Sequence, residues 1–130
     1  MTTWSGDQLA RIAAADELVI QAGRADGTLR GPIPVWVVRD GDALYVRSYK
    51  GERGSWYRAA VARAGRISAG GVEAEVTFAP EADPAANDRI DAAYRTKYRR
   101  FGASYVEPMI APAARAATLK ILPARTPAHG

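Results

Sequence analysis

Residues 33–50 read IPVWVVRDGDALYVRSYK. Two arms rich in β-branched and aromatic residues flank Asp40-Gly41, a dipeptide suited to positive φ in a tight turn. The pattern predicts an antiparallel hairpin, with one arm from Ile33 to Arg39 and the other from Ala43 to Lys50. The first arm is apolar on both faces, which places it inside a sheet or a barrel wall. Pro32 and Pro34 limit its early pairing to an edge or a strand start, because neither can donate to a ladder. On the second arm Leu44, Val46, Ser48 and Lys50 share one face, and Ala43, Tyr45, Arg47 and Tyr49 share the other.

The same punctuation repeats on both sides of this hairpin. Upstream, Leu18 to Ala22 is β-rich and is followed by the turn dipeptide Asp26-Gly27. Downstream, Gly65 to Ala69 and Val72 to Ala79 flank Gly70-Gly71, and Val72, Ala74, Val76 and Phe78 alternate with Glu73, Glu75 and Thr77. Ala117 to Leu122 forms a last strand, closed by Pro123. Helices fill the intervals. Ser5 and Gln8 make a capping box for an entry helix over Gly6 to Ala14, with Trp4 placed to staple onto Leu9. Trp56 to Ala62 is a short alanine-rich helix. Asp83 as N-cap and Pro84 as N1 open the longest helix, whose buried stripe is Ile90, Ala93, Tyr94, Tyr98 and Phe101. Gly102 ends it, and Tyr105 to Ile110 adds a further helical turn. The expected architecture is α+β and mainly β: a small antiparallel β-barrel with flanking helices, one domain over residues 1–124 and a flexible tail at 125–130.

Composition limits the chemistry. The chain has 130 residues, 48% apolar and 25% charged, which suits one domain with one core. Its net charge of +4 favours anionic ligands without demanding nucleic acid. There is no cysteine, so disulfides, zinc-thiolate sites and thiol nucleophiles are excluded. The single histidine is His129, in the expected tail, which argues against a Ser-His-Asp triad or a histidine metal site. Glu73 and Glu75 are neighbours on one strand face, the arrangement of a solvated surface rather than of carboxyls across a cleft. No signal peptide or membrane span is read, and the expected location is the cytoplasm.

Two segments carry candidate sites. Residues 50–55, KGERGS, have the composition of a phosphate loop in the wrong order for Walker A. They leave the hairpin strand just after Ser48. Gly51 and Gly54 let backbone N–H groups approach an anion, and the helix starting near Ser55 and Trp56 adds its N-terminal donors. One cation about 4 Å from a phosphate oxygen is worth roughly 4 kcal/mol at an effective dielectric near 20, before desolvation. Composition alone leaves this stretch open between a phosphate cradle and a polar β-to-α loop. The second segment, Tyr94 to Phe101, is basic with interleaved aromatics. Helical spacing turns its rings toward a core and its cations toward solvent, which disfavours nucleic-acid stacking.

The order and spacing of IPVWVVRDGDALYVRSYKGERGSWYRAA, the helix DAAYRTKY and the closing strand ATLKILP resemble the flavin-binding split β-barrel superfamily, and within it the bacterial family DUF2255. The resemblance covers most of the chain. It implies a six-stranded antiparallel split β-barrel, a homodimer with a flavin at its interface, and an oxidoreductase using FMN or the deazaflavin F420 on a small organic molecule. It further implies a cofactor phosphate held at Arg47, Ser48, Lys50 and Gly51, with Arg53 and Trp56 beside them. Val35, Trp36 and Val37 would lie along the ring pocket. Tyr94, Tyr98 and Tyr105 are candidate substrate-side hydroxyls, although the first two read more readily as core aromatics with a polar tip. The chain departs from deazaflavin-dependent relatives at Ala59 and Ala60, where those relatives tend to carry Asn-Leu. The competing readings are a non-catalytic barrel that binds a phosphorylated ligand or a partner and, more remotely, a nucleic-acid module using Arg95, Lys97, Arg99 and Arg100.

Overall fold

Each antiparallel strand of this protein finds two neighbours, and the sheet closes on itself. The computed structural model describes residues 3–124; the tail 125–130, with His129, lies outside the described residues. In chain order the elements are α1 (Gly6–Ala14), β1 (Glu17–Ala22), β2 (Ile33–Asp40), β3 (Ala43–Arg47), α2 (Ser55–Ala62), β4 (Gly65–Ala69), β5 (Val72–Pro80), α3 (Pro84–Lys97), α4 (Ala103–Ile110), α5 (Pro112–Ala116) and β6 (Thr118–Pro123). The strand order is β1-β2-β3-β6-β5-β4, a closed six-stranded barrel with every pair antiparallel. Pro34 lies opposite Val19 near the start of β2, where residues 33–36 pair with β1 alone and β3 joins only from Val37 onward, so the proline sits at a one-sided strand start as expected.

Alternation sorts the side chains into two cores. Leu18, Ile20, Val37, Leu44, Val46, Ile67, Val76, Phe78, Leu119 and Ile121 fill the barrel. The opposite face of β2 and β3, with Val38 and Tyr45, packs against Ile90, Tyr94 and Tyr98 of the α3 segment and Val106 and Met109 of α4. Helix α1 seats over the barrel mouth. Its capping box forms as expected, with Gln8 N–H donating to Ser5 Oγ at 3.1 Å and Ser5 N–H to Gln8 Oε1 at 2.9 Å. Trp4 enters the barrel core with Leu9, and its indole N–H donates to the Ile121 carbonyl at 3.0 Å.

The structure corrects one boundary that matters for the site. The second hairpin arm was expected to run to Lys50, but β3 stops at Arg47. The reason lies in its partner: β6 begins at Thr118, paired with Arg47, so no ladder remains beyond it. After a last bond from Ser48 N–H to the Ala117 carbonyl, the chain turns, and Gly51 N–H donates back to the Ser48 carbonyl at 2.9 Å. Gly51–Arg53 then forms one 3₁₀ turn before α2. The short helix α5, opened by Pro112, had no expectation in the sequence reading.

Two tests address this architecture. Gly70 sits at φ +57°, and a Cβ there would lie 2.2 Å from the Arg11 carbonyl oxygen of α1. Gly70→Ala is expected to lower stability by about 2 kcal/mol or more, read as a reduced urea midpoint with unchanged slope. Lys97 donates to the Val37 carbonyl at 2.7 Å, and burial pushes its ammonium down to about 8. The unfolded chain, with an ordinary lysine, holds that proton more tightly, so folding stability rises with pH through this window. Relative to Lys97→Met, the wild type should therefore gain stability between about pH 8 and pH 10. A pH-independent difference in urea unfolding would refute that assignment.

Candidate functional site

Where β3 ends, the 3₁₀ turn, the start of α2, the strand β2 and the helix α4 enclose a cleft of about 710 Å³. Ile33, Pro34, Val35 and Trp36 supply its apolar wall from β2, while Pro108 and Met109 close it from α4. Ser48, Lys50, Arg53, Gly54, Ser55 and Trp56 supply its polar side, and Glu17, Tyr49, Ser104 and Tyr105 complete the lining.

The polar side is built from groups that have little to bond to within the chain. Ser48 is only 2% exposed, and what it exposes borders the cleft. Gly54 is what makes room for it: a Cβ on Gly54 would lie 2.5 Å from Ser48 Oγ and 3.3 Å from the Gly51 carbonyl oxygen. Lys50 and Arg53 are exposed, and neither makes an ion pair among the described residues. The Lys50 ammonium lies 5.9 Å from the centroid of the Tyr49 ring. Gly54 is the N-cap of α2 and brings no side-chain cap, so the first N–H groups of that helix stand open at the cleft, where they favour negative charge. Gly51, at φ +77°, is buried behind the cleft against Ala113 and serves the turn itself.

Arg47 is different. Its side chain points to the helix-covered face and all five guanidinium N–H groups are used within the protein. Nε donates to Thr118 Oγ1 at 2.9 Å, Nη1 to Asp91 Oδ1 at 2.5 Å and to the Met109 carbonyl at 3.0 Å, and Nη2 to the Asn87 carbonyl at 3.2 Å and Asn87 Oδ1 at 2.9 Å. No donor remains for a phosphate. The residue borders the cleft and fixes its wall instead, since Met109 belongs to that wall. Asp91 also accepts from Arg115 at 2.8 Å, and Arg115 pairs with Asp88, so the buried cation belongs to a network of alternating charge.

Of the expected substrate-side tyrosines, Tyr105 is at the cleft and 65% exposed. Tyr94 and Tyr98 lie behind it in the outer core. The Tyr98 hydroxyl donates to the Asp16 carbonyl at 2.6 Å and accepts from Val37 N–H at 3.0 Å, and burial pushes both phenols well above their ordinary value. The Tyr98 ring stacks flat on Trp36, centroids 3.9 Å apart, and so holds the cleft wall in place. Val35 and Trp36 line the cleft, whereas Val37 faces the barrel interior. In the basic run, Arg95, Arg99 and Arg100 are exposed, Arg100 pairing with Asp16, while the Tyr94 and Tyr98 rings are buried. Glu17, Tyr49, Ser104, Pro108 and Met109 were not singled out in the sequence. Alternation from Leu18 and Ile20 would have turned Glu17 outward, but nothing local says that it stands beside Trp36.

The DUF2255 family, described as "Uncharacterized protein conserved in bacteria", matches residues 8–121. The chain belongs to that family. No curated protein matches it. Among solved structures, the DUF2255 chain is similar to a Listeria innocua protein provisionally described as a pyridoxamine 5'-phosphate oxidase, with a TM-score of 0.59, 14% identity, and coverage of 89% of this chain and 88% of that one. It is also similar to an FAD and heme binding protein from Mycobacterium smegmatis, with a TM-score of 0.54, 17% identity, and coverage of 95% of this chain and 67% of that one. At these identities the likeness is one of fold. Among the described residues, no helix is long and apolar enough to cross a membrane.

The Arg47 network gives a direct test. Asp91→Leu strands a buried guanidinium and is expected to cost about 3–5 kcal/mol in urea unfolding. Adding Arg47→Met in the same chain should recover part of that loss, because the uncompensated charge is then gone.

Proposed function

We propose that the cleft holds the phosphorylated end of a flavin-type cofactor, FMN or the deazaflavin F420, and that the chain is an oxidoreductase acting on a small organic molecule. The observation that carries this reading is the Ser48 hydroxyl. It belongs to a nearly buried residue of the cleft lining and is given its space by Gly54 beside Lys50, Arg53 and the uncapped start of α2. A hydroxyl, two cations and open backbone N–H groups on one side of an apolar cleft are the donor set a phosphate monoester takes. The fold likeness to the Mycobacterium smegmatis protein, itself described as binding FAD, supports the same reading.

When bound, the cofactor supplies the hydride or electrons. The residues of the chain do the rest. Lys50 and Arg53 neutralise the phosphate, Ser48 donates to one of its oxygens, and the α2 N–H groups orient it. Trp36, Val35 and Met109 wall the ring side from water, and Trp36 is held flat by Tyr98. The Tyr105 phenol is the hydroxyl on the substrate side. The reading includes a homodimer, in which Tyr49 and Tyr105, 61% and 65% exposed at the rim, would give the second copy an aromatic surface to cover.

Fluorescence titration with FMN and with F420 tests the proposal. One of the two should saturate, and Lys50→Ala with Arg53→Ala should weaken it by about tenfold or more. Gly54→Ala should weaken it too, by pushing the Ser48 hydroxyl aside. No saturation with either cofactor would remove the reading. Binding without turnover under any reductant would instead support the non-catalytic barrel.

A further inference from the structure

The cleft has a second chemical character. Glu17 is the one carboxylate among its lining residues, and it stands on β1, two strands from the β3 end that carries the cations. Two strand spacings amount to about 10 Å. Glu17 pairs in register with Trp36, so the carboxylate-bearing chain and the indole are direct cross-strand neighbours. Leu18 and Ile20 fill the barrel, so Glu17 shares the outer face of the sheet with Trp36.

The Glu17 side chain has neither an ion pair nor a hydrogen bond among the described residues. Its neighbour Asp16 shows the contrast, since that carboxylate is taken by Arg100. The wall around Glu17 is Trp36 with the apolar stretch Ile33, Pro34 and Val35, which offers it no cationic side chain. An unpaired carboxylate beside an indole held rigid by Tyr98 is the pairing that recognises an organic cation. The carboxylate supplies charge, and the aromatic ring supplies its quadrupole and apolar contact.

We propose that Glu17 and Trp36 form a subsite for an organic cation, a protonated amine or a quaternary ammonium, carried by the substrate of this cleft. The cleft is thus bipolar, with an anion end at Lys50 and Arg53 and a cation end at Glu17. Calling the ligand a substrate rests on the proposed function, whereas the cation preference rests on the β1–β2 pairing alone.

Choline and its neutral carbon analogue, 3,3-dimethyl-1-butanol, are suitable probes, followed by ligand-observed NMR. Wild-type protein should bind choline about tenfold more tightly than the neutral analogue. In Glu17→Gln that preference should fall to near unity, and Glu17→Lys should abolish choline binding. Glu17 is exposed, so both variants should fold, which their protein spectra verify. Equal binding of the two probes to wild type, no choline binding at all, or a preference that survives in Glu17→Gln would overturn the proposal. FMN and F420 titrated in parallel keep the two readings separate. A choline preference in protein that binds neither cofactor leaves the subsite standing and removes the cofactor.

Discussion

The guanidinium of Arg47 organises the side of this barrel that carries the cleft. It is 1% exposed and gives its five donors to groups on α3, α4 and β6. A buried cation tolerates no missing partner, because each lost bond leaves charge in a medium that cannot solvate it. Asn87, Asp91, Met109 and Thr118 are therefore held in mutual register around β3. Met109 is also cleft wall, so the same network that joins the helices to the barrel sets the position of α4 beside α3 at the cleft.

Termination of β3 follows from the same place. Thr118 pairs with Arg47 in the ladder and accepts from its Nε, which puts the start of β6 level with the end of β3. Beyond that level the backbone is free to turn, and it does so over Gly51 and Gly54. Ser48 is left at the cleft with Lys50 and Arg53. Arginine and serine are adjacent in sequence but sit on opposite sides of the strand. One is consumed by the helix-side network, and the other borders the cleft.

Trp36 plays the corresponding part on β2. Its ring lies flat against Tyr98, whose hydroxyl is tied to the backbone of Asp16 and Val37. The stack joins the end of α3 to the strand and gives the cleft a rigid aromatic wall. The interleaved aromatics and cations of residues 94–101 serve this purpose: the tyrosines hold the barrel, and the arginines remain in solvent.

Much of this was legible in the linear sequence because it depends on short-range chemistry. Period-two alternation in residues 43–47 and 72–79 separated barrel from exterior, and glycine pairs with positive φ marked the turns. Ser5 with Gln8, and Asp83 with Pro84, fixed where α1 and α3 begin. The candidate loop from Ser48 to Trp56 was also visible, since its hydroxyl, cations and glycines are contiguous. Partnership across the fold was not. That Arg47 is spent on Asn87, Asp91, Met109 and Thr118 is decided by groups 40 to 71 positions away. That Glu17 stands beside Trp36, or that Tyr105 and Met109 close a cleft begun by β2, depends on strand register and helix docking. Local propensity sets the elements and their faces, but only closure of the barrel decides which faces meet. The sequence by itself therefore determined an antiparallel barrel with a polar loop, and tertiary structure alone decided which of that loop's charges are left for a ligand.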